Sequence, residues 1–175
     1  MKVLVTGGVR SGKSRHAERL LAVEDGVVYV APGPVPELGT DPDWADRVAL
    51  HRARRPASWT TDETHDLAAA VARAPGAVLV DCLGTWLTAV LDEAGWDRDR
   101  AHLDRVVADR LDALVVALAA TPRTVVLVTN EVGLGVVPEH RSGRVFRDLL
   151  GVVNQRVAEA CDDVVLVIAG RALRL

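Results

Sequence analysis

The segment GGVRSGKS, residues 7–14, constrains this chain more than any other stretch of its sequence. It follows the apolar run KVLVT and precedes a charged amphipathic stretch. Gly7, Gly12, Lys13 and Ser14 match G-x-x-x-x-G-K-[ST], the pattern of a phosphate-binding loop between a strand and a helix. Glycines there let backbone N–H groups approach phosphate oxygens where a side chain would collide. The segment therefore predicts a cradle for a nucleoside triphosphate, and we call it the phosphate loop.

Lys13 and Ser14 have separate roles in such a loop. Lys13 brings a point charge to the β and γ phosphates, and the Ser14 hydroxyl can coordinate Mg²⁺. The N-terminus of the following helix adds its partial positive charge. A glycine turn that binds nothing is the alternative, and the pattern does not select one nucleoside triphosphate over another.

Short apolar runs alternate with helical patterns along the rest of the chain. Five runs rich in β-branched residues predict buried strands, namely KVLVTG, VVYVA, AVLVDC, TVVLVTN and DVVLVIAG. Apolar residues at helical spacing predict two long helices, in the series Leu103, Val107, Leu111, Leu114 and Leu118 and the series Val145, Leu149, Val153 and Val157. This alternation predicts one α/β domain over residues 1–175, with a mostly parallel sheet between helices on both faces. The closing GRALRL predicts a further strand, antiparallel after a turn at Gly170.

Charge and apolar patterning exclude several classes of protein. A net charge of −3 gives no reason to expect nucleic-acid binding. No apolar run approaches the roughly 18 residues of a membrane helix, and we expect no signal peptide before the first strand. Cys82 and Cys161 match no metal spacing, which favours a reduced, cytoplasmic protein. The other histidines suggest solvated faces and no zinc site: His16, His65, His102 and His140.

Two acidic residues end predicted strands. Ligands of open α/β sheets lie beyond the carboxyl ends of the strands, so Asp81 and Glu131 are both placed to face a bound nucleotide or its metal ion. A helix N-cap or a loop carboxylate is the alternative for each. We favour the metal or nucleotide contact for Asp81, and both interpretations stay open for Glu131.

A cluster of basic residues follows the loop PGPVPELGT, residues 32–40. A helix is predicted from near Asp41-Pro42, ending before Pro56. On such a helix the basic side chains share one face, and an apolar face serves for packing; the basic face holds Arg47, His51, Arg54 and Arg55, and the apolar face Trp44 and Val48. Neighbouring cations lower the pKa of a histidine and attract phosphate oxygens. His51 is therefore a candidate nucleophile for a phosphoryl or nucleotidyl group, and a solvated basic face is the alternative.

Thr60 and Glu63 form the pattern T-x-x-E before an apolar-periodic stretch. This pattern predicts a capping box at the start of a helix. Helix capping by itself explains both residues.

Four segments together resemble the bifunctional adenosylcobinamide kinase/adenosylcobinamide-phosphate guanylyltransferase family. They are VLVTGGVRSGKSRHAE, RVALHRARRPASWTTDE, VLVDCLGTWLT and the stretch from VVLVTNEVGLGVVPEH to VVLVIAG. The resemblance covers nearly the whole chain in order. The combination of R-S-G-K-S, H-R-x-R-R-P and T-N-E-V-G-x-G-x-V-P is far more specific than any one of these motifs.

This resemblance implies a RecA-like P-loop fold, a three-layer sandwich, and two reactions. The first phosphorylates the aminopropanol hydroxyl of adenosylcobinamide, with GTP or ATP as donor. The second transfers GMP from GTP to the new phosphate and releases pyrophosphate, through a guanylyl-histidine that would be His51. The resemblance also implies a homo-oligomer, specifically a trimer.

The site that the motifs and the resemblance imply has three parts. His51 and Lys13 are the catalytic residues, and Ser14 and Asp81 are the metal ligands for Mg²⁺. The nucleotide contacts are Gly7, Gly8, Val9, Arg10, Ser11, Gly12, Lys13, Ser14, Ala31, Pro32, Gly33, Arg52, Ala53, Arg54, Arg55, Glu63 and Asp81. The family commonly shows A-T-S after the second strand, whereas Pro32 and Gly33 stand here without hydroxyls.

Two other functions stay open on the residues themselves. One is a P-loop kinase for a small molecule without guanylyl transfer, in which His51 is merely basic surface. The other is a non-enzymatic module that senses a nucleotide without turning it over.

Overall fold

The computed structural model describes residues 1–34 and 42–175, apart from the side chains of Trp44 and Arg47. Seven strands are found there: β1 (Lys2–Thr6), β2 (Val28–Val30), β3 (Thr60–Asp62), β4 (Val78–Asp81), β5 (Val125–Val128), β6 (Asp163–Ile168) and β7 (Arg171–Arg174). Six helices connect them in the same residues: α1 (Lys13–Leu20), α2 (Pro42–Ala53), α3 (Leu67–Arg73), α4 (Leu83–Ala94), α5 (Arg100–Ala120) and α6 (Arg141–Glu159).

The strands form one sheet in the order β3-β2-β4-β5-β1-β6-β7. All neighbours are parallel except β6 and β7, which pair antiparallel after the turn at Gly170. The predicted parallel sheet and the predicted antiparallel last strand are both confirmed. Because β5 lies between β1 and β4, the residues that follow these three strands meet at one edge of the sheet.

Two hydrophobic cores lie on opposite faces of the sheet. Alternate residues of β1 divide between them, with Leu4 on one face and Val3 and Val5 on the other. Helices α3 to α6 cover the Leu4 face, and α1 covers the other through Ala17 and Leu21. The apolar series predicted for α5 and α6 are buried against this sheet, as the helical spacing required. The three-layer arrangement is therefore confirmed.

Strand β3 is an element that the sequence analysis missed. Its residues Thr60–Asp62 pair in parallel with β2, and the capping box predicted for Thr60 and Glu63 is wrong. Helix α3 begins after Asp66 instead, where Asp66 Oδ1 accepts a hydrogen bond from Ala69 N at 3.0 Å. A short, polar edge strand has no apolar alternation to reveal it, and a carboxylate serves as an N-cap as well as a threonine does.

The predicted basic helix is observed as α2 over Pro42–Ala53, and it ends before Pro56 as expected. Asp41 and residues 35–40 of the predicted loop lie outside the described residues. The side chains of Trp44 and Arg47, which the sequence analysis assigned to the apolar and the basic face of α2, also lie outside the described part of the structure. None of the helices in the described part of the chain is long and apolar enough to cross a membrane.

Candidate active site

The phosphate loop joins β1 to α1, as predicted. Gly12 is the N-cap of α1 with φ +97°, and Arg10 has φ +56°. Backbone in this left-handed region turns successive N–H groups toward one side of the loop, which makes a concave site for an anion. His16 N donates to Gly12 O at 2.9 Å and closes the first turn of the helix behind it. The loop therefore has the geometry of an anion cradle.

Lys13 is buried although it carries a charge. Its side chain is 5% exposed, and its Nζ donates to Gly8 O at 3.1 Å. Burial of an ammonium group is costly unless strong acceptors surround it. A triphosphate bound in the loop supplies such acceptors, so the position of Lys13 fits this class of ligand.

Gly7 has no room for a side chain. A Cβ added at this position would lie 2.4 Å from Val167 O in β6 and 2.7 Å from Ser11 Oγ. Because Val167 O is backbone, the Gly7→Ala variant must shift the loop or the strand. We expect the free energy of unfolding to fall by about 1–3 kcal/mol, which lowers the melting temperature by roughly 2–12 °C in calorimetry.

Gly8→Ala is the matched control for this prediction. A Cβ added at Gly8 meets no atom within 4 Å among the described residues. Its melting temperature should stay close to that of the parent protein. Equal melting temperatures for the Gly7→Ala and Gly8→Ala variants would contradict the steric argument.

A cavity of about 340 Å³ opens beside the phosphate loop. It is lined by predicted site residues from five segments of the sequence, which are Val9, Lys13, Ser14, Ala31, Gly33, His51, Arg52, Arg55, Glu63 and Asp81. The remaining predicted residues do not line it, and these are Gly7, Gly8, Arg10, Ser11, Gly12, Pro32, Ala53 and Arg54. Most of the latter belong to the loop itself, whose predicted contribution is backbone amides.

His51 faces a carboxylate at the end of β4. His51 Nδ1 lies 3.6 Å from Asp81 Oδ2, within electrostatic reach but longer than a hydrogen bond. Both side chains are largely buried, with 21% exposed for His51 and 8% for Asp81. A carboxylate beside Nδ1 favours the tautomer that has its proton there, and this tautomer has its lone pair on Nε2. The arrangement suits an imidazole that acts through Nε2.

Tyr29 of β2 supports Asp81 at the end of the neighbouring strand β4. Its hydroxyl donates a hydrogen bond to Asp81 Oδ2 at 3.0 Å, and the Arg55 guanidinium lies 3.2 Å from the ring centroid. Burial, and then the charge of Asp81, raise the pKa of the Tyr29 phenol well above 10. The phenol therefore stays protonated and remains a donor to the carboxylate at physiological pH.

The arginines near His51 have different partners. Arg52 Nη2 lies 2.5 Å from Glu63 Oε1, which gives Glu63 a role beside the cavity. Arg54 instead joins α2 to α1, with its Nη2 3.0 Å from Glu18 Oε1. The predicted basic cluster is thus divided, because Arg54 turns toward Glu18 while Arg52 and Arg55 line the cavity.

Ser14 and Asp81 line the same cavity and present a hydroxyl and a carboxylate oxygen. Mg²⁺ is commonly held by one or two protein oxygens together with substrate phosphates and water. In residues 1–34 and 42–175, no group of three His, Cys, Asp or Glu side chains could hold a metal by itself. The donor set thus fits an ion that is shared with phosphates.

Glu131 has a local partner. Its Oε1 accepts a hydrogen bond from Gly133 N at 2.6 Å, and its own N–H donates to Gly7 O at 3.2 Å. Of the two interpretations left open for Glu131, this geometry favours the loop carboxylate.

Sequence reasoning missed part of the cavity. The missed residues include Tyr29, Thr61, Cys82, Gly84, Thr85, Thr88, Asn130, Val132 and Phe146. One signal was present, because Tyr29 and Phe146 are the single tyrosine and the single phenylalanine of the chain. The threonines of α4 gave no such signal, because their sequence pattern is that of ordinary helix residues and only the tertiary structure places them at the cavity.

Two solved structures share this fold but have distant sequences. An ATPase of the type III secretion system of pathogenic bacteria superposes with a TM-score of 0.55 at 16% identity, over 94% of this chain and 50% of that one. A protein from Pyrococcus horikoshii superposes with a TM-score of 0.51 at 10% identity, over 99% of this chain and 84% of that one. At these identities the similarity shows the fold alone.

Sequence relatives are much closer. The bifunctional adenosylcobalamin biosynthesis protein CobU of Salmonella typhimurium is 41% identical over 189 residues, covering 100% of this chain and 99% of the relative. The corresponding protein CobP of Pseudomonas aeruginosa is 41% identical over 184 residues, covering 100% of this chain and 97% of the relative. The family described as cobinamide kinase / cobinamide phosphate guanyltransferase matches residues 3–175. This chain therefore belongs to the cobinamide kinase / cobinamide phosphate guanyltransferase family.

Proposed function

We propose that this protein phosphorylates adenosylcobinamide and then transfers GMP from GTP to adenosylcobinamide phosphate, with His51 as the covalent carrier of GMP. Both activities are those in the description of its family. The observation that carries the assignment of His51 is its place in one cavity with Lys13 of the phosphate loop, its Nδ1 directed at Asp81.

Guanylyl transfer follows from this arrangement in two displacements. The loop amides and Lys13 hold the β and γ phosphates of GTP, which leaves the α-phosphorus toward His51. The Nε2 lone pair of His51 attacks that phosphorus, so that an N–P bond forms and the bond to pyrophosphate breaks. Asp81 stabilises the positive imidazole that results. An oxygen of the acceptor phosphate then attacks the same phosphorus, and the N–P bond breaks to return the imidazole.

The kinase reaction uses the same cradle but another phosphorus atom. The acceptor hydroxyl attacks the γ-phosphorus while Lys13 and the loop amides stabilise the charge that develops on its oxygens. His51 forms no bond in this step. The two reactions therefore share Lys13 and differ in their need for His51.

Several finer assignments belong to this proposal. GTP is the guanylyl donor, and Ser14 and Asp81 would hold Mg²⁺, which would supply positive charge beside the triphosphate and the leaving pyrophosphate. A homotrimer remains a prediction from the family resemblance, and a cytoplasmic location remains a prediction from the cysteine pattern. The single domain over residues 1–175 likewise stays a prediction.

The experiment that tests the proposal follows the α-phosphate and the γ-phosphate of GTP with separate labels. The full-length protein is incubated with Mg²⁺ and GTP labelled at the α-phosphate, without acceptor. We expect a labelled protein whose adduct is labile in acid and stable in alkali, as a phosphoramidate is. Addition of adenosylcobinamide phosphate should then discharge the label into GDP-cobinamide. Transfer of γ-label to adenosylcobinamide without any α-labelled protein would instead identify a kinase that lacks guanylyl transfer.

Tyr29→Phe should slow formation of the guanylyl-enzyme by about tenfold, close to the value of one hydrogen bond to a charged group. The reason is that the phenol hydroxyl holds Asp81 beside His51, and phenylalanine keeps the ring under Arg55 but removes the donor. Single-turnover kinetics with α-labelled GTP measure the rate constant. The apparent affinity for GTP and the rate of acceptor phosphorylation serve as controls and should stay within about twofold. An equal loss in both reactions would show that Tyr29 acts on a feature that both reactions share, either the metal-binding position of Asp81 or the stability of the fold.

A further inference from the structure

The cavity beside His51 has a second wall of different chemistry. The residues predicted from sequence supply its charged side, from the phosphate loop, α2 and Asp81. The second wall is formed by uncharged residues of α4, of the segment after β5 and of α6, namely Thr85, Thr88, Asn130, Val132 and Phe146. Helices α4 and α6 lie on the sheet face away from α1. A ligand in this part of the cavity therefore meets hydroxyl, amide, methyl and aromatic groups.

Asn130 lies where the two sides meet. It follows β5, between the phosphate loop after β1 and Asp81 at the end of β4. Asn130 Oδ1 accepts from Cys82 Sγ at 3.5 Å, and burial raises the pKa of the Cys82 thiol, which keeps it a donor. Asn130 O accepts from Asn154 Nδ2 at 3.1 Å, and Asn154 Oδ1 accepts from Thr129 at 2.6 Å. Asn130 is thus held in place by a partly buried network.

The second wall has a few hydrogen-bonding groups that are available to a ligand. Within the described ranges, the side-chain amide nitrogen of Asn130 makes no hydrogen bond, so its N–H groups can serve a ligand. The Thr88 hydroxyl donates to Gly84 O at 3.1 Å, which leaves its oxygen as an acceptor. The Thr85 hydroxyl donates to Cys82 O at 2.9 Å and already accepts from Cys82 N at 3.4 Å. Such a wall suits a short neutral chain with a methyl branch and an amide. A phosphate finds its counter-charges on the other side of the cavity.

An exposed apolar loop continues from this wall. We call residues 133–138 the rim loop, since they follow Val132 of the cavity. Leu134 is 91% exposed and Val136 is 95% exposed. The start of the loop is fixed by Arg147, whose Nη2 donates to Gly133 O at 2.7 Å. Its end is fixed by Arg144, whose Nη1 donates to Pro138 O at 3.1 Å. The exposed side chains of Leu134 and Val136 therefore lie at the mouth of the cavity, on a loop whose two ends are held by hydrogen bonds.

We propose that the second wall and the rim loop form the binding site for the corrinoid acceptor. The inference rests on the proposed function, because it takes the acceptor from there. The wall receives the aminopropanol arm, with Asn130 donating to the arm, and the rim loop lies against the macrocycle. A cavity of about 340 Å³ is too small to enclose a macrocycle beside a nucleotide, so only the arm enters. Because the rim loop directly follows Val132 of the cavity, the macrocycle and its aminopropanol arm would bind at the same cavity mouth.

Two variants of Thr88 test the wall. Thr88→Leu adds bulk to it, whereas Thr88→Val keeps the shape and removes the hydroxyl. Guanylyl-enzyme formation from α-labelled GTP without acceptor should stay within about twofold in both, because the nucleotide lies on the other side. The KM for adenosylcobinamide phosphate in the discharge step should rise at least about tenfold in Thr88→Leu and only about threefold in Thr88→Val, which loses one hydroxyl acceptor.

A rim-loop variant tests the ring contact on the surface, where folding is not at risk. Leu134→Ser combined with Val136→Ser should raise the KM for adenosylcobinamide phosphate about tenfold. Discharge by 1-amino-2-propanol phosphate, which has the arm without the ring, should be unchanged by this double variant and impaired by Thr88→Leu.

Each remaining outcome overturns a specific statement. Slower guanylyl-enzyme formation in Thr88→Leu would assign the second wall to the nucleotide. A normal adduct with an unchanged acceptor KM in Thr88→Leu and in the rim-loop variant would place the acceptor elsewhere. Absence of any adduct in the parent protein would instead refute the proposed function, which keeps the two failures distinguishable.

Discussion

Replacement of His51 with alanine is expected to abolish the guanylyl-enzyme and to lower GMP transfer by about 10⁴-fold or more, the scale seen when a covalent nucleophile is removed. Phosphorylation of adenosylcobinamide should continue within about threefold of the parent rate, because the γ-phosphorus reacts without His51. The physical reason is that no other described imidazole lines this cavity. Transfer of α-label to protein and of γ-label to acceptor, measured side by side, gives both numbers.

His140→Ala is the matched control for this variant. His140 is exposed and precedes α6 without a side-chain capping bond, so its loss removes an imidazole and little else. We expect both reactions to be normal in this control. Label that persists on the His51→Ala protein would show that another residue carries GMP. A loss of both reactions in His51→Ala would show that His51 organises the nucleotide site as a whole.

The parts of the fold that the sequence predicted have strong local signals. Buried strands such as Val125–Val128 are continuous apolar runs rich in β-branched residues, and α5 buries one stripe from Leu103 to Leu118. The phosphate loop has residue types that few other structures need in that order. In each case the physical requirement lies within a short segment, so the sequence displays it directly.

The parts that were missed depend on contacts between distant segments. Strand β3 is polar because it forms the edge of the sheet, and its partner β2 lies about thirty residues earlier in the sequence. The support of Asp81 by Tyr29 spans 52 residues, and nothing near either residue announces it. Arg54 pairs with Glu18 and not with a nucleotide phosphate, although either anion can bind a guanidinium group, so the sequence could not decide between them. Such features follow from the tertiary arrangement, which local patterning does not encode.

The second wall shows the same limit at the level of function. Thr88 and Phe146 belong to helices whose apolar faces pack on the core, and the spacing of these helices predicted packing alone. The ends of β4 and β5 lie side by side because these strands are neighbours in the sheet. Parts of α4 and α6 therefore line the cavity, although the rest of each helix packs on the core. The nucleotide side could be predicted because it has a motif. The side proposed for the acceptor could not, because a neutral site needs shape more than charge.

Lys13 should be the residue on which both reactions depend. Its ammonium group is buried in the phosphate loop, and both proposed reactions need positive charge at the β and γ phosphates. Lys13→Ala should therefore lower phosphorylation and guanylyl-enzyme formation together, each by about 10²–10³-fold, the usual cost of one charge-stabilising donor. Parallel assays with γ-labelled and α-labelled GTP measure the two losses. Unequal losses would indicate that the two reactions hold the triphosphate differently.

Lys2→Ala is the natural control, since Lys2 is the only other lysine of the chain and its Nζ also donates to a backbone carbonyl, Thr121 O, at 2.8 Å. It should keep both activities. A second readout separates binding from folding: GTP at about 100 times its Kd stabilises the folded parent protein by about 2.7 kcal/mol, which calorimetry detects as a higher melting temperature. Lys13→Ala should fold without nucleotide, because it removes a charge whose burial is costly. It should lose this shift, because the charge that holds the triphosphate is gone. If the shift persists while both reactions fail, Lys13 stabilises the transition states and not the bound nucleotide.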